Sequence, residues 1–169
     1  AERGLMHMSG RRFFGWVIGA SHPVGVAADW LTSAWGQNAV FATASPAAAM
    51  AEKIAGDWIV DLLDLPRESS VGFVTGATMA NFTCLAAARH AQYAKRGWDV
   101  EANGLIGAPE LHVFAGEEAH TTVFAALRYL GFGSARVQRV GSDRHGRMDP
   151  EALRMALGSV TGPKIVIAQ

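Results

Sequence analysis

The sequence has very little cysteine: Cys84 is the only one among 169 residues. One thiol cannot form an internal disulfide, so we expect a reducing, cytosolic setting. Phe82 and Leu85 flank Cys84 in a pattern that indicates a helix facing a core. Because free cysteines are often buried, we expect a buried structural thiol here rather than a reactive one.

The sequence also lacks an excess of charge and a long apolar run. Fifteen basic residues balance fifteen acidic ones, so nothing in the charge indicates a nucleic-acid partner. No segment approaches the ~20 apolar residues that a membrane helix needs. The first residues, Ala1 to Met8, do not have the basic-then-apolar layout of a signal peptide. We therefore expect a soluble, unexported protein with no membrane partner.

The first part of the chain is rich in glycine and aromatic residues. We predict that residues 1–45 form an aromatic arm and interface segment, with a helix from about Val26 to Ala34. Exposed aromatic clusters usually mark an interface. Phe13, Phe14 and Trp16 could equally pack on their own domain, and both interpretations stay open.

From residue 46 onward the pattern alternates between helix and strand. Ser45 and Pro46 are predicted as the N-cap and first residue of a helix that ends before Pro66. The segments that follow are predicted as strand 71–74, helix 78–95, strand 111–114, helix 120–130, strand 135–140, helix 150–157 and strand 164–168. This order indicates an α/β fold with a mainly parallel sheet and flanking helices.

The segment from Val74 to Asn81 is the first candidate site. Gly76 and Ala77 let an anion approach the backbone, and the free N–H groups of the following helix favour a phosphate. The hydroxyl of Thr78 adds one more donor. The segment has neither the lysine of a Walker A loop nor the spacing of a dinucleotide motif. The alternative is an ordinary strand-to-helix turn with Thr78 as its N-cap.

Two further turns carry polar residues. His120 stands at a predicted helix start, where an imidazole can stack on a flat cofactor, act as an acid or base, or simply cap the helix. The adjacent Glu117 and Glu118 should point in different directions and form no carboxylate pair. The turn from Asp143 to Pro150 is predicted as a surface turn with Asp149 as N-cap.

Two other kinds of site find little support in the sequence. No two of the six histidines stand four residues apart, and the single cysteine has no partner at a ligand spacing, so we expect no metal site. The Gly-x-Ser-x-Gly turn of many serine hydrolases does not occur.

Taken together, the chain resembles the group II pyridoxal-phosphate-dependent decarboxylases, the family of aromatic-amino-acid, histidine and glutamate decarboxylases. The resemblance runs from about Arg11 to Gln169 and rests on five motifs in order. They are Phe13-Phe14-Gly15, Ser45-Pro46-Ala47, Thr75 to Asn81, Ala119-His120-Thr121-Thr122 and Asp143 to Asp149. It implies that residues 46–169 are the first part of the large domain of an aspartate-aminotransferase-like, fold type I enzyme.

The resemblance also implies roles for individual residues. Ala77 and Thr78 would hold the phosphate of pyridoxal 5'-phosphate through backbone N–H groups and the Thr78 hydroxyl. His120 would lie over the pyridine ring and act as a catalytic residue that supplies a proton. The substrate pocket, formed partly across a homodimer interface, would be lined by Phe13, Phe14 and Phe41.

The chain departs from the family pattern at two positions and lacks one essential residue. Met79 replaces an acidic residue, which bears on substrate identity, and Gly76 stands where serine is common. None of the three lysines occupies a motif for the Schiff-base lysine; they are Lys53, Lys95 and Lys164. In the family this lysine, and the aspartate that pairs with the pyridine nitrogen, lie further downstream. We therefore expect the chain to be part of a longer polypeptide.

The resulting prediction is a cytoplasmic, homodimeric carboxy-lyase that converts an L-amino acid to an amine and carbon dioxide. The aromatic arm favours an aromatic substrate slightly over glutamate. Two alternatives stay open. One is a different fold type I reaction, such as an aldehyde-forming lyase or an aminotransferase. The other is a non-catalytic fragment that serves as an interaction module.

Overall fold

The computed structural model describes residues 2–168 of the chain. The chain divides into two compact units, residues 1–71 and residues 72–169. The predicted division into an arm over 1–45 and a cofactor-binding part over 46–169 concerns the role of each part, and it stays a prediction.

The described residues of the first unit contain two α-helices, α1 (Pro23–Trp35) and α2 (Pro46–Leu62), and a short 3-10 helix at Glu2–Gly4. Helix α1 follows His22, whose Nδ1 accepts a hydrogen bond from the backbone N–H of Val24 at 3.4 Å. Ser45 and Pro46 stand at the N-cap and first position of α2, as predicted. The Ser45 hydroxyl, however, is fully buried and makes no capping hydrogen bond within the described chain. The position was predicted correctly, but the capping interaction was not.

The second unit alternates between helices and strands, as predicted. Its elements are α3 (Ala77–Ala94), α4 (Val100–Asn103), β1 (His112–Gly116), α5 (Thr121–Tyr129), β2 (Val137–Val140), α6 (Pro150–Gly158) and β3 (Lys164–Ile167). The short helix α4 was missed because it contains only one turn. Among residues 2–168, no helix combines the length and the apolar character needed to cross a membrane.

The three strands form one parallel sheet in the order β2-β1-β3. Phe114 of the central strand pairs with Gln138 on one side and Val166 on the other. The predicted α/β class with a parallel sheet is therefore confirmed. A parallel pair needs a crossover connection, and here α5 and α6 occupy the segments between the strands.

The core lies where α3 and α5 meet the sheet. Val113 and Ala115 alternate along β1 and point to the same face, where they join Leu85 of α3 and Leu127 of α5. Leu127 is fully buried, and so is Phe114 on the opposite face of β1. Burying a leucine of this kind stabilises the fold by about 2 kcal/mol. This packing holds α3 and α5 in place over the sheet.

Two predictions in this region are wrong. Residues 71–74 form no strand, because they pair with none of the strands in the described structure and a strand requires ladder hydrogen bonds. Cys84 is exposed rather than buried. Successive helical residues point about 100° apart, so Leu85 reaches the core while Cys84 faces outward.

Candidate active site

Helices α3 and α5 run side by side in the same direction. Asn81 Nδ2 of α3 donates a hydrogen bond of 3.1 Å to Thr122 Oγ1 of α5. Near the other end of the pair, Arg89 Nη1 donates one of 3.0 Å to the carbonyl oxygen of Leu130, just after α5. Both bonds join residues 41 positions apart, so the two helices are parallel. Their N-termini therefore lie at the same edge of the unit.

This edge is also where the central strand ends. β1 ends at Gly116, and residues 117–120 lead directly into the start of α5. In open α/β sheets, ligands bind beyond the carboxyl ends of the strands. The positive ends of two helix dipoles meet here, which favours an anion.

The start of α3 presents backbone donors that have no partner among the described residues. Gly76 occupies the N-cap position and offers no side-chain capping bond. The first intrahelical hydrogen bond runs from Ala80 N to Gly76 O, at 3.0 Å. The N–H groups of Ala77, Thr78 and Met79 precede that bond, and all three residues are exposed. The alternative with Thr78 as N-cap is wrong, because the helix begins one residue before it.

Open space lies over this turn. A Cβ added at Gly76 would meet nothing within 4 Å. The turn can therefore admit a bulky anion, such as a phosphate group, close to its backbone.

His120 stands at the N-cap of α5, as predicted for a polar cap. Its Nδ1 accepts a hydrogen bond of 3.3 Å from the backbone N–H of Thr122 and lies 2.9 Å from the Thr122 hydroxyl oxygen. The ring is exposed. Nδ1 is thus held against the helix, and Nε2 is the ring nitrogen left for exchange with a ligand.

Of the two neighbouring carboxylates, Glu117 has a defined partner on the next segment. Glu117 Oε1 accepts a hydrogen bond of 2.7 Å from the backbone N–H of Ser142. That bond links the segment after β1 to the segment after β2. Glu117 therefore has a structural role at this edge of the sheet.

The polar turn after β2 is held by its own side chains. Arg147 Nε donates to Asp143 Oδ2 at 2.8 Å, and this bond is the main reason that the pKa of Asp143 lies below its ordinary value. Asp149 caps α6 by accepting hydrogen bonds from the N–H groups of Glu151 at 2.8 Å and Ala152 at 3.4 Å. The predicted surface turn with Asp149 as N-cap is confirmed.

The phenylalanines of the predicted substrate pocket all lie in the first unit. Phe14 is 92% exposed and Phe41 is 65% exposed. Phe13 is half-buried, and its ring lies 6.2 Å from that of Trp16 between centroids. Their role in substrate binding stays a prediction.

Comparison with known proteins identifies the family. The family model described as "Pyridoxal-dependent decarboxylase conserved domain" matches residues 2–167 of the chain. The chain belongs to the pyridoxal-dependent decarboxylase family. The resemblance found in the sequence motifs is thereby confirmed.

Two curated members of the pyridoxal-dependent decarboxylase family show the extent of the similarity. The aromatic-L-amino-acid decarboxylase of Bacillus atrophaeus is 34% identical over 153 residues, which cover 89% of this chain and 29% of the relative. Tryptophan decarboxylase 1 of Oryza sativa subsp. japonica is 30% identical over 167 residues, which cover 91% of this chain and 32% of the relative. The chain therefore spans about a third of the length of these relatives.

A solved structure confirms the fold of this family. The crystal structure of Oryza sativa TDC with PLP and tryptamine superposes with a TM-score of 0.71 at 28% identity. The match covers 83% of this chain and 30% of that one. The predicted fold type I architecture is thus confirmed.

The second unit fits the phosphate end of the cofactor that gives the pyridoxal-dependent decarboxylases their name. Unpaired N–H donors and an exposed hydroxyl stand at the start of α3, and the space over Gly76 is open. The unit's lysines lie elsewhere: Lys95 follows the far end of α3, and Lys164 begins β3, with its Nζ donating to Gly162 O at 3.2 Å. Neither is at the edge where α3 and α5 begin.

No role was predicted from the sequence for Asn81 or Thr122, two residues that lie where α3 and α5 begin. Both stand within the quoted motifs, Asn81 at the end of one and Thr122 at the end of another. Nothing in either motif signals that the two side chains meet. Their hydrogen bond depends on the packing of α3 against α5.

Proposed function

We propose that this chain is part of a pyridoxal-phosphate-dependent carboxy-lyase, which converts an L-amino acid to an amine and carbon dioxide. The observation that carries the proposal is the meeting of two helix N-termini, one with free N–H donors and the other with His120. The family match supports the same reaction class.

In this proposal the start of α3 holds the phosphate of pyridoxal 5'-phosphate. The N–H groups of Ala77 and Thr78 donate to phosphate oxygens, and the Thr78 hydroxyl donates one more hydrogen bond. The positive end of the helix dipole attracts the phosphate charge. The Schiff-base lysine and the aspartate that pairs with the ring nitrogen would come from outside the sequence described here.

His120 is the catalytic residue of this chain in the proposal. When bound, pyridoxal phosphate supplies an electron sink for bonds at the substrate's α-carbon. His120 would face the ring of the cofactor and, in its protonated form, would give the Nε2 proton after carbon dioxide leaves, becoming a neutral imidazole. Positioned acid–base groups contribute about 10²- to 10⁴-fold to rates.

An aromatic L-amino acid is the proposed substrate class. Two relatives are named as decarboxylases of aromatic amino acids and of tryptophan. Phe13, Phe14 and Phe41 would line the pocket, partly across a homodimer interface, and the exposure of Phe14 and Phe41 is compatible with that role. We also propose a cytoplasmic enzyme, since its one free thiol, Cys84, is exposed and suits a reducing compartment.

The test uses the complete protein loaded with pyridoxal phosphate and a panel of L-amino acids. Carbon dioxide and the matching amine should appear together, fastest with an aromatic substrate. Transfer of the amino group to a keto acid without carbon dioxide would instead show an aminotransferase, and an aldehyde product would show another fold type I reaction. Absence of any turnover by the loaded protein would leave the interaction module as the function.

Variants of this chain link the activity to the site. His120→Gln should lower carbon dioxide release by about 10²-fold or more, because it removes the proton donor. Thr121→Val is the matched control, since Thr121 is the exposed neighbour of His120. Equal losses in both variants would contradict a catalytic role for His120.

A further inference from the structure

The hydrogen bonds around His120 determine which of its nitrogens carries the proton. The backbone N–H of Thr122 points at His120 Nδ1, at 3.3 Å. A backbone N–H can only donate, so Nδ1 must accept. In a neutral imidazole with Nδ1 as acceptor, Nε2 carries the proton.

The same reasoning fixes the direction of the next hydrogen bond. The Thr122 hydroxyl oxygen lies 2.9 Å from the same Nδ1. Because Nδ1 is an acceptor, the hydroxyl must donate its single hydrogen to it. The hydroxyl oxygen then has only lone pairs left for other partners, so it needs a donor.

Asn81 supplies that donor from the neighbouring helix. Its amide nitrogen Nδ2 lies 3.1 Å from Thr122 Oγ1, in a partly buried position. With this bond in place, the hydroxyl oxygen accepts from Asn81 and its single hydrogen is available to Nδ1. The direction of all three bonds is therefore consistent: from Asn81 to Thr122, and from Thr122 to His120.

We propose that Asn81 and Thr122 are positioning residues that hold His120 as the Nε2–H tautomer, with its ring in a fixed orientation. This inference rests on the proposed function for its catalytic meaning, since Nε2 is the ring nitrogen that would face the substrate. The hydrogen-bond chain itself does not depend on the reaction.

The same hydrogen bonds also connect His120 to the start of α3, where the N–H groups proposed to bind the phosphate lie. Ala77 and Asn81 are four residues apart on α3, so they lie on the same side of the helix one turn from each other. A change in where the first turn of α3 sits would shift Asn81 as well. Asn81 therefore lies one helical turn from the N–H groups that would hold the phosphate.

The variants for the test change hydrogen bonding with little change in shape. Thr122→Val removes the hydroxyl, and Thr122→Ser keeps it. Asn81→Asp replaces the amide donor with a carboxylate that only accepts, so the Thr122 hydroxyl turns toward it and away from Nδ1. Thr121→Val is the matched control on the same helix turn.

The primary measurement is the tautomer of His120 in the complete protein, before and after loading with pyridoxal phosphate. Ring-¹⁵N histidine labelling distinguishes a protonated from an unprotonated nitrogen, and loss of one signal set in His120→Gln assigns the resonance. We expect Nε2–H in the wild type, Thr122→Ser and Thr121→Val. Thr122→Val and Asn81→Asp keep only the longer bond from the backbone N–H of Thr122 to Nδ1, so both should show a smaller Nε2–H fraction.

Turnover gives the second measurement. Thr122→Val and Asn81→Asp should lower kcat about tenfold to a hundredfold with little change in KM, because a misplaced acid loses rate rather than affinity. Thr122→Ser should restore the wild-type kcat.

The outcomes separate the two proposals. An unchanged His120 tautomer in both Thr122→Val and Asn81→Asp, with thermal unfolding showing that they fold, overturns the positioning role whatever the activity does. A changed tautomer with unchanged kcat upholds the positioning role and refutes His120 as the proton donor. If one variant fails to fold, the other decides the first question.

Discussion

The Thr78 hydroxyl provides the most direct test of the proposal that the start of α3 binds the cofactor phosphate. Thr78→Val removes one hydrogen-bond donor and keeps the shape of the side chain. Thr78 is exposed at the second position of α3, and threonine and valine have similar helix propensities, so the free energy of unfolding should hardly change. The perturbation therefore acts on phosphate binding alone.

The magnitude follows from the kind of bond that is lost. A hydrogen bond to a charged group contributes about 1.5–3 kcal/mol, which corresponds to about 10- to 150-fold in a dissociation constant. The exposure of Thr78 places the expected loss near the lower end, about tenfold. The N–H groups of Ala77, Thr78 and Met79 remain, so pyridoxal phosphate should still bind.

The assay is a titration of the cofactor-free complete protein with pyridoxal phosphate, followed by fluorescence or equilibrium dialysis. Thr83→Val is the matched control, because Thr83 is exposed further along the same helix. We expect the control to bind like the wild type. Equal affinity in the wild type, Thr78→Val and Thr83→Val would refute the assignment of Thr78 to the phosphate.

Three further predictions concern the scaffold of the site. Leu127→Ala should lower the free energy of unfolding by about 2–5 kcal/mol, because it leaves a cavity at a fully buried position; a loss under 1 kcal/mol in denaturant titration, about that of a conservative core swap, would contradict the described packing. Asp149→Ala should cost about 1 kcal/mol through loss of the cap of α6, whereas Asp149→Asn should retain most of it. Arg147 lowers the pKa of Asp143 in the folded state. The stabilisation of the fold by this pair is therefore fully present above the ordinary aspartate pKa, near pH ~4. It is lost as the pH falls through the lower pKa of the folded state. NMR titration should show the pKa of the Asp143 carboxyl moving toward the ordinary value in Arg147→Met, which keeps the backbone hydrogen bonds, and an unchanged titration would exclude the side-chain pair as the cause.

The sequence predicted most of the second unit because its signals are local. Asp149 and Pro150 mark the start of α6, and the cap is made within three residues of chain. The apolar segments of β1 and β3 are short and bounded by turn residues, so their existence was evident from pattern alone. The family motifs added the order and spacing that a single turn such as Gly76-Ala77-Thr78 could not supply.

The errors arose where a pattern lacked information about partners. Residues 71–74 have the composition of a strand, but a strand forms only when another strand accepts its hydrogen bonds. Cys84 stands beside Leu85, and neighbours along a helix face different directions. The Ser45 hydroxyl stands at the N-cap without making the capping bond. In each case the residue type was suited to a role that the surrounding structure did not provide.

By itself, the sequence determined the α/β class, the alternation of helices and strands from β1 onward and the N-cap positions of α2, α5 and α6. These features depend on hydrogen bonds that span two to four residues and on the periodicity of apolar side chains. Only the tertiary structure decided that α3 and α5 lie parallel, and so brought Asn81 to Thr122 across 41 residues of chain. That contact depends on packing both helices on one sheet face, and it supplies the donor to the Thr122 hydroxyl, which in turn lies 2.9 Å from His120 Nδ1.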